Sequence, residues 1–339
     1  SLKEIVNKMA KKIVHRGPDN SGVYFDEKIS FCCAHQRLSI LDLSKAGNQP
    51  MQSFHKRMVI SFNGEIYNFK DLRKKLNLET NINWEGNSDT EVLINAIEYW
   101  GLKKTLDLTI GMFAFAILDK FQKKLYLVRD RFGEKPLYWG FAGSNSSKAL
   151  VFGSDISALK EFPSLNKDIN LKALDAYLKL ACIPSDLTVY NSIKKLKPGH
   201  IAEFSLENDL EIKSPKIYKW WDYQKIINKN QAKTYISKEK ALIDLEETLK
   251  NALTSCLVSD VPLGCFLSGG IDSSLLAAIL SKNSINKINT FTIGFEDANF
   301  DESGEAKKVA DYLGTNHEEI TLMPSEAMNI IPDLPKIDR

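Results

Sequence analysis

The stretch Leu267-Ser268-Gly269-Gly270-Ile271-Asp272-Ser273-Ser274 lies between two patterns that set its geometry. Ahead of it, the run from Val261 to Leu267 has the length and composition of a buried strand, and behind it the segment from Leu275 to Leu280 reads as a helix. Further on come a second strand from Ile288 to Gly294, a helix from Glu302 to Leu313 and a third strand from His317 to Leu322. Strands and helices alternating at this spacing predict a parallel, doubly wound sheet. The Gly-Gly stretch then falls at a strand-to-helix turn.

That position has a chemistry. Two glycines without Cβ atoms let backbone N–H groups approach an anion closely, and the following helix adds its unpaired N–H groups and the positive end of its dipole. Ser268, Ser273 and Ser274 put hydroxyls at the same mouth, and Asp272 suits a magnesium ion carried on phosphates. A bare glycine turn capped by Ser and Asp is the simpler alternative, but the flanking strand and downstream serines favour an anion site. The lysine of the GxxxxGK[ST] loop is absent.

The stretch resembles the SGGxDS pyrophosphate loop of the ATP-pyrophosphatase (PP-loop) superfamily. The resemblance implies cleavage of ATP between its α and β phosphates, with Ser268, Gly269, Gly270, Asp272, Ser273 and Ser274 at the pyrophosphate. It also implies adenine held at Leu267 and Ile293, and magnesium at Asp272.

Upstream, the segment from Ser237 to Leu257 carries Leu242, Leu245, Leu249, Ala252, Leu253 and Cys256 at helical spacing. Before it, residues 207–235 are rich in lysine, interrupted by Pro215, and read as a surface linker whose Trp220 and Trp221 pack against one domain. Residues 1–206 hold short β-like runs at Met58–Phe62, Phe113–Ile117, Lys124–Val128 and Ala149–Phe152. Helices are predicted over Thr90–Trp100, behind a Ser88-Asp89 cap, and over Leu171–Leu180; Ile5, Met9, Ile13 and Val14 mark another at the start. This mixture predicts an α+β domain with layered sheets.

Three motifs in that domain suit a small amino acid. Arg37-Leu38-Ser39-Ile40-Leu41 offers a guanidinium for an α-carboxylate. Asn63-Gly64-Glu65 at a strand end offers an amide and a backbone N–H for an oxyanion, and Glu65 and Asp89 suit an ammonium group. Singly each has a plain alternative: an ion pair, a hairpin turn, a helix cap. Taken with Arg16-Gly17-Pro18-Asp19, Gly111-Met112-Phe113-Ala114-Phe115 and Arg129-Asp130-Arg131-Phe132-Gly133, they closely resemble the class II glutamine amidotransferase domain of glutamine-hydrolysing asparagine synthetases.

That resemblance implies an N-terminal-nucleophile αββα sandwich at 1–206, a linker at 207–235 and the front part of an α/β PP-loop synthetase domain at 236–339. It implies a ligase using ATP and Mg2+: glutamine is hydrolysed to ammonia in the first domain, and aspartate is activated as β-aspartyl-AMP and amidated in the second. Arg37, Leu38, Ser39, Ile40, Leu41, Asn63, Gly64, Glu65 and Asp89 would bind glutamine, with Asn63 and Gly64 as the oxyanion hole. Homodimers occur among such proteins.

The sequence departs from the family in two places. The family nucleophile is an N-terminal cysteine whose own amine is the base; here Ser1 stands first, and the Cys-Gly-Ile-like strand expected ahead of the first helix is missing. Cys32 and Cys33 lie inside a strand-like run and read as buried. The family's second Ser-Gly-Asp/Glu-Gly cluster is absent as well. The expectation is therefore a chain with neither activity complete. Competing readings are an amide-forming relative acting on a sugar acid, peptide or antibiotic precursor (β-lactam-synthetase-like), and a non-catalytic ATP- or glutamine-binding module.

Composition narrows the classes further. The 339 residues carry 45 basic and 43 acidic side chains, a net charge of +2, which argues against a nucleic-acid or membrane partner held by bulk charge. Five cysteines without a CxxC pair predict neither a disulfide framework nor a zinc site, and no signal-peptide pattern opens the chain. The expected location is cytoplasmic and the expected partners are small molecules.

Overall fold

The computed structural model describes residues 1–144, 148–184, 186–206, 213–231, 234–235, 237–284, 286–297, 299 and 301–334. Parts of two sequence readings, residues 207–212 and 232–233 of the linker and 335–339 at the end, lie outside these. Two compact units result, Ser1–Gln231 and Ala232–Arg339.

The first unit opens with helix α1 (Leu2–Lys11), followed by strands β1 (Asn20–Asp26), β2 (Phe31–Arg37), β3 (Met51–Gln52) and β4 (Met58–Ile66). Helices α2 (Phe69–Glu79), α3 (Asp89–Trp100) and α4 (Leu102–Leu108) come next, then strands β5 (Gly111–Asp119), β6 (Lys124–Arg129), β7 (Tyr138–Ala142) and β8 (Ala149–Gly153). Short helices α5 (Ile156–Leu159) and α6 (Leu171–Leu180), strands β9 (Ile193–Lys195), β10 (His200–Ser205) and β11 (Lys216–Lys219), and helix α7 (Tyr223–Asn230) complete it.

One antiparallel sheet has the order β11-β10-β6-β5-β4-β3; the facing layer consists of a β1-β2 pair and a β8-β7-β9 trio. Alternation decides what lies between them. Ala114, Ala116 and Leu118 of β5 join Leu125, Leu127, Phe204, Trp139, Phe31 and Cys33 in the core between the two layers. The opposite residues of β5, Phe113, Phe115 and Ile117, are equally buried on the other face of that sheet, where α3 packs on β4 and α2 on α3. Outside the second layer, Ala142, Val151, Ala158, Leu159 and Ile193 pack with Met9 and Ile13 of α1. Helix, sheet, sheet, helix: the unit is an αββα sandwich.

The reading of residues 207–235 as a linker changes in detail. Residues Lys216–Lys219 form the edge strand β11, paired with β10, and the Trp220 ring stacks on Phe113 while its indole N–H donates to the Arg129 carbonyl at 3.0 Å. Lysines at both ends of Lys216-Ile217-Tyr218-Lys219 suit an exposed edge strand, which composition alone presents as a polar connection.

The second unit holds α8 (Lys238–Ser255), β12 (Gly264–Phe266), α9 (Ile271–Asn283), β13 (Asn289–Phe295), α10 (Ser303–Leu313), β14 (Asn316–Leu322) and α11 (Pro324–Ile330). Its sheet is parallel in the order β12-β13-β14, as the alternation predicted. The strand expected from Val261 shortens to three residues, since Pro262 has no N–H to give a ladder. No helix among the described residues is long and apolar enough to cross a membrane.

Candidate active site

Arg37, Leu38, Ile40, Leu41, Asn63, Gly64, Glu65 and Asp89 all line one cavity of about 700 Å³ in the first unit. They arrive from three places: the end of β2 and its following loop, the end of β4, and the start of α3. Ser39 does not line it; its N–H donates to the Asp19 carboxylate at 2.7 Å, while the Asp19 N–H donates to the Arg37 carbonyl. The Arg16–Asp19 motif thus buttresses the binding loop. Gly17 permits this approach, because a Cβ there would meet the Gln36 carbonyl oxygen at 2.3 Å.

Arg37 is buried, and its guanidinium is spent on the loop. It donates to the carbonyls of Ser44 (2.9 Å), Leu41 (3.1 Å) and Asp42, and to Oδ1 of Asn48 (3.0 Å). It supplies charge and a fixed loop backbone, rather than the free bidentate fork its residue type suggested.

Asn63 and Gly64 form the wall where β4 meets β5. Gly64 sits at φ +154°, and a Cβ there would fall 2.1 Å from the Met112 carbonyl oxygen, so the close strand contact requires glycine. The Asn63 side-chain amide nitrogen is buried and has no partner. A buried donor left unmade costs about 1–3 kcal/mol, and a ligand oxygen at this wall would recover that cost.

Asp89 is buried at the first turn of α3, where Ser88 caps the helix and Asp89 accepts from the Ile66 N–H at 2.8 Å. Burial pushes its carboxyl up to about 6, with nearby Glu65 adding to the rise. Burial also raises Glu65, opposed by the charge of Lys135. Two neighbouring carboxyls held above their ordinary range suit a cation arriving between them.

Some residues that build this site were not singled out from the sequence. Gln49 locks the cavity floor, donating to the Phe62 carbonyl at 3.2 Å and accepting its N–H at 2.7 Å. Asp130 is buried and accepts from the backbone N–H groups of Phe113, Phe132, Gly133, Glu134 and Lys135, holding the loop that brings Lys135 to the cavity. The Arg129-Asp130 dipeptide was visible; four of the five amides it serves follow within its own loop, and only Phe113 is distant. Burial raises the thiols of Cys32 and Cys33, which lowers the share of thiolate at either. The Ser1 amine donates to Glu4 at 3.0 Å and caps α1.

In the second unit, Ser268–Ser274 form the turn from β12 to α9. Gly269 has φ +73°, and a Cβ there would meet the Ala306 nitrogen at 2.8 Å. Ser268 and Ser273 join their hydroxyls at 3.0 Å, and the Ser273 hydroxyl accepts the Ser268 N–H at 3.2 Å; the Ser274 hydroxyl is buried without a partner. Leu267 is buried, with its carbonyl accepting from the Thr292 hydroxyl, whereas Ile293 on the adjacent strand is half exposed. The two therefore flank the sheet edge from which the loop springs.

Asp272 is exposed at the second position of α9. Among the described residues no group of three His, Cys, Asp or Glu could hold a metal. A magnesium ion fits here only if phosphates supply most of its ligands, which is its usual habit.

Residues 1–221 match the family model described as "Glutamine amidotransferase domain". The chain belongs to that family. Residues 244–338 match a second model, described as "Asparagine synthase". The glutamine amidotransferase chain is 36% identical over 338 residues to a putative asparagine synthetase [glutamine-hydrolyzing] 2 of Methanocaldococcus jannaschii, covering 93% of this chain and 61% of that one. It is 33% identical to asparagine synthetase [glutamine-hydrolyzing] 1 of Bacillus subtilis, covering 98% of this chain and 49% of the relative. It spans about half to three fifths of the length of these relatives. Among solved structures, a glutamine phosphoribosylpyrophosphate amidotransferase from B. subtilis, complexed with ADP and GMP, is similar at TM-score 0.45 and 15% identity, over 94% of this chain and 63% of that one.

Proposed function

We propose that the chain serves a glutamine-hydrolysing asparagine synthetase: its first unit releases ammonia from glutamine and its second binds the ATP that activates aspartate. One observation carries the reading. Eight of the nine residues expected to bind glutamine line a single cavity, and a buried, unpartnered amide stands in its wall.

Glutamine enters with its ammonium toward Glu65 and Asp89, and its α-carboxylate toward the loop backbone that Arg37 fixes. The side-chain amide then meets the Asn63 Nδ2 group and the Gly64 N–H. Attack by a thiol on the amide carbon moves charge to the carbonyl oxygen, and those two donors stabilise it. Ammonia leaves with the proton taken from the nucleophile, and water releases glutamate from the thioester. Burial raises the thiols of Cys32 and Cys33, which disfavours the thiolate at either of them.

At the second site the Gly269-Gly270 turn and the start of α9 present N–H groups to the β and γ phosphates. The hydroxyls of Ser268, Ser273 and Ser274 add donors, and Leu267 and Ile293 flank the adenine. Asp272 would hold a magnesium ion, which would supply charge neutralisation for the phosphates; the aspartate β-carboxylate takes AMP as pyrophosphate leaves, and ammonia then attacks that carbonyl, expelling AMP and a proton to leave the amide.

Titration calorimetry with L-glutamine, and separately with Mg·ATP, tests both halves on the chain itself. The glutamine heat is expected to be lost with D-glutamine and to weaken about tenfold or more in Asn63→Ala. Absence of L-glutamine binding at millimolar concentration overturns the glutaminase reading.

A further inference from the structure

We infer that Asp42 is a positioning residue for glutamine: from behind the cavity wall it clasps the loop after β2 to the residues leading into α3. The clasp fixes the spacing between the two ends of the pocket. Its effect on glutamine rests on the glutaminase reading above; the clasp itself does not.

The chain builds the two walls of the pocket separately. The loop after β2 supplies Leu38, Ile40, Leu41 and Gly47, and the start of α3, with its cap, supplies Ser88, Asp89 and Thr90. In the proposed binding mode the first wall meets the α-carboxylate and the second meets the ammonium. Both groups sit on one carbon of the substrate, so a shift of about 1 Å between the walls costs one of the two contacts.

Asp42 is buried between these segments but does not line the cavity. One carboxylate oxygen serves its own loop: Oδ1 accepts the Ser44 N–H at 3.1 Å and the Ser44 hydroxyl at 2.6 Å. The other crosses the gap, where Oδ2 accepts the Asn87 N–H at 2.6 Å. The Asp42 carbonyl takes an N–H of the Arg37 guanidinium. Its backbone has φ +54°, in the left-handed region that Asp and Asn enter more readily than other side chains. A single residue thus ties its carbonyl to Arg37 and its carboxylate to Asn87.

The far side of the clasp is braced in turn. Arg73 of α2 donates to the Gly86 carbonyl at 3.0 Å and to the Asn87 side-chain oxygen at 3.1 Å. Glu91 of α3 accepts the N–H groups of Glu85 at 2.7 Å and Gly86 at 3.0 Å. A Cβ added at Gly86 would collide with Oδ2 of Asp42 and lie 2.8 Å from the Ala46 Cβ, so the segments are in close contact here. A longer tie, from the Gln49 amide to the Thr90 hydroxyl at 3.4 Å, runs beside the clasp.

The clasp uses a charged acceptor. Burial pushes the Asp42 carboxyl up, but the hydrogen bonds from Ser44 and Asn87 and the charge of Arg37 outweigh it and hold the group below its ordinary range. Hydrogen bonds to an ionised carboxylate are about twice as strong as neutral ones.

Two variants open the clasp in different ways. Asp42→Asn keeps a side chain suited to positive φ and an oxygen for Ser44, but turns an amide N–H toward the Asn87 N–H. Gly86→Ala leaves the Asp42 carboxylate intact and pushes it aside. Hydrogen exchange followed by mass spectrometry on the ligand-free chain is expected to quicken about tenfold or more in residues 84–88 of both variants. Ligand-observed NMR at millimolar concentration then compares L-glutamine with 4-aminobutanamide, which lacks the α-carboxylate and makes no demand on the loop. L-Glutamine affinity is expected to fall about tenfold in both variants, and 4-aminobutanamide affinity by less than about twofold.

Unchanged exchange in both variants overturns the clasp. Faster exchange with the two ligands weakened equally, or with neither weakened, makes Asp42 a brace of the fold and overturns its positioning role. A wild-type chain that binds neither ligand overturns the glutaminase reading and the positioning role with it, and the exchange still decides whether the clasp exists.

Discussion

The two units carry their sites in opposite ways. In the first, the cavity wall belongs to a layered core: Phe113, Phe115, Ile117, Leu118 and Leu127 are fully buried, and β4 and β5 pair along nine residues behind Asn63 and Gly64. In the second, a four-residue cluster of Leu267, Ala277, Ala306 and Ala310 supports a three-stranded sheet, and Phe266 remains 77% exposed. The proposed glutamine site is therefore held by distant packing, whereas the Ser268–Ser274 turn is held by its own seven residues and one neighbouring helix. Substitutions that unmake the packing or backbone contacts of either site should cost stability and binding together; loss of a single hydroxyl from the second should separate them.

The sharpest break of that comparison is Asp130→Ala. Five backbone N–H groups would lose their acceptor inside the first unit, four of them in the loop that carries Lys135. Each unmade buried donor has a cost, and the loop can relax to satisfy some, so about 4 kcal/mol is expected. Denaturant unfolding with separate reporters should show the loss in the tryptophan-rich first unit, where Trp139 and Trp220 lie. A second unit destabilised equally would mean that the two do not fold as separate bodies.

Asp89→Asn acts in the opposite sense on stability. The Asp89 carboxyl is raised from 3.8 to about 6 by burial, so the folded chain holds its proton more tightly than the unfolded chain. Its contribution to stability is full below pH 3.8 and is lost as pH rises through about 6. A shift of that size corresponds to about 3 kcal/mol; the Asn oxygen can keep the Ile66 N–H but the Thr90 N–H, which Asp89 also accepts at 2.7 Å, loses its acceptor, so the net gain at pH 7.5 should be about 1 kcal/mol. Glutamine binding should move the other way. Its ammonium needs the ionised carboxylate, so affinity should fall toward tenfold per unit as pH drops below about 6, and the Asp89→Asn substitution should flatten that profile. Calorimetry from pH 5 to 8 reads both slopes; an unchanged profile removes Asp89 from ammonium binding.

This contrast also governs what could be read from the sequence. Local signals were dependable: the Ser88 cap opens α3, the alternation of strands and helices gave a parallel sheet, and Gly269 sits at positive φ where an anion turn needs it. Long-range duties were hidden. Arg37 announces a charge, but only the fold shows four acceptors of the loop after β2 already around its guanidinium. Gln49 acts on the distant Phe62 backbone, whereas Asp130 serves four amides of its own loop and reaches back only to Phe113, so local spacing shows part of its duty. The edge strand β11 was read as a polar connection because its lysines face solvent on an edge. Residues that act through short-range backbone geometry leave a pattern; residues that act by satisfying remote amides leave only their names.

In the second unit, Gly269→Ala tests local backbone. The φ of +73° disfavours any Cβ, and the Ala306 nitrogen at 2.8 Å obstructs it. A cost of about 1–3 kcal/mol is expected in the second unit alone, with Mg·ATP binding lost and L-glutamine binding unchanged. Glutamine affinity falling in step would contradict the independence of the two sites.

The smallest effect on stability is expected from Ser273→Ala, and it separates the two kinds of site most cleanly. The Ser273 hydroxyl accepts the Ser268 N–H at 3.2 Å, meets the Ser268 hydroxyl at 3.0 Å and reaches the Gly270 carbonyl at 3.3 Å. All three contacts lie within the exposed loop, where water can replace them, so the fold should lose at most about 0.5–1 kcal/mol. A phosphate bound at the loop would lose a hydroxyl donor that the proposed ATP site counts on. Mg·ATP affinity should therefore fall about tenfold while the melting temperature moves by a degree or two. If stability and affinity fall together by several kcal/mol, the loop is part of the second unit's core, and the division between a packed site and a locally built one fails.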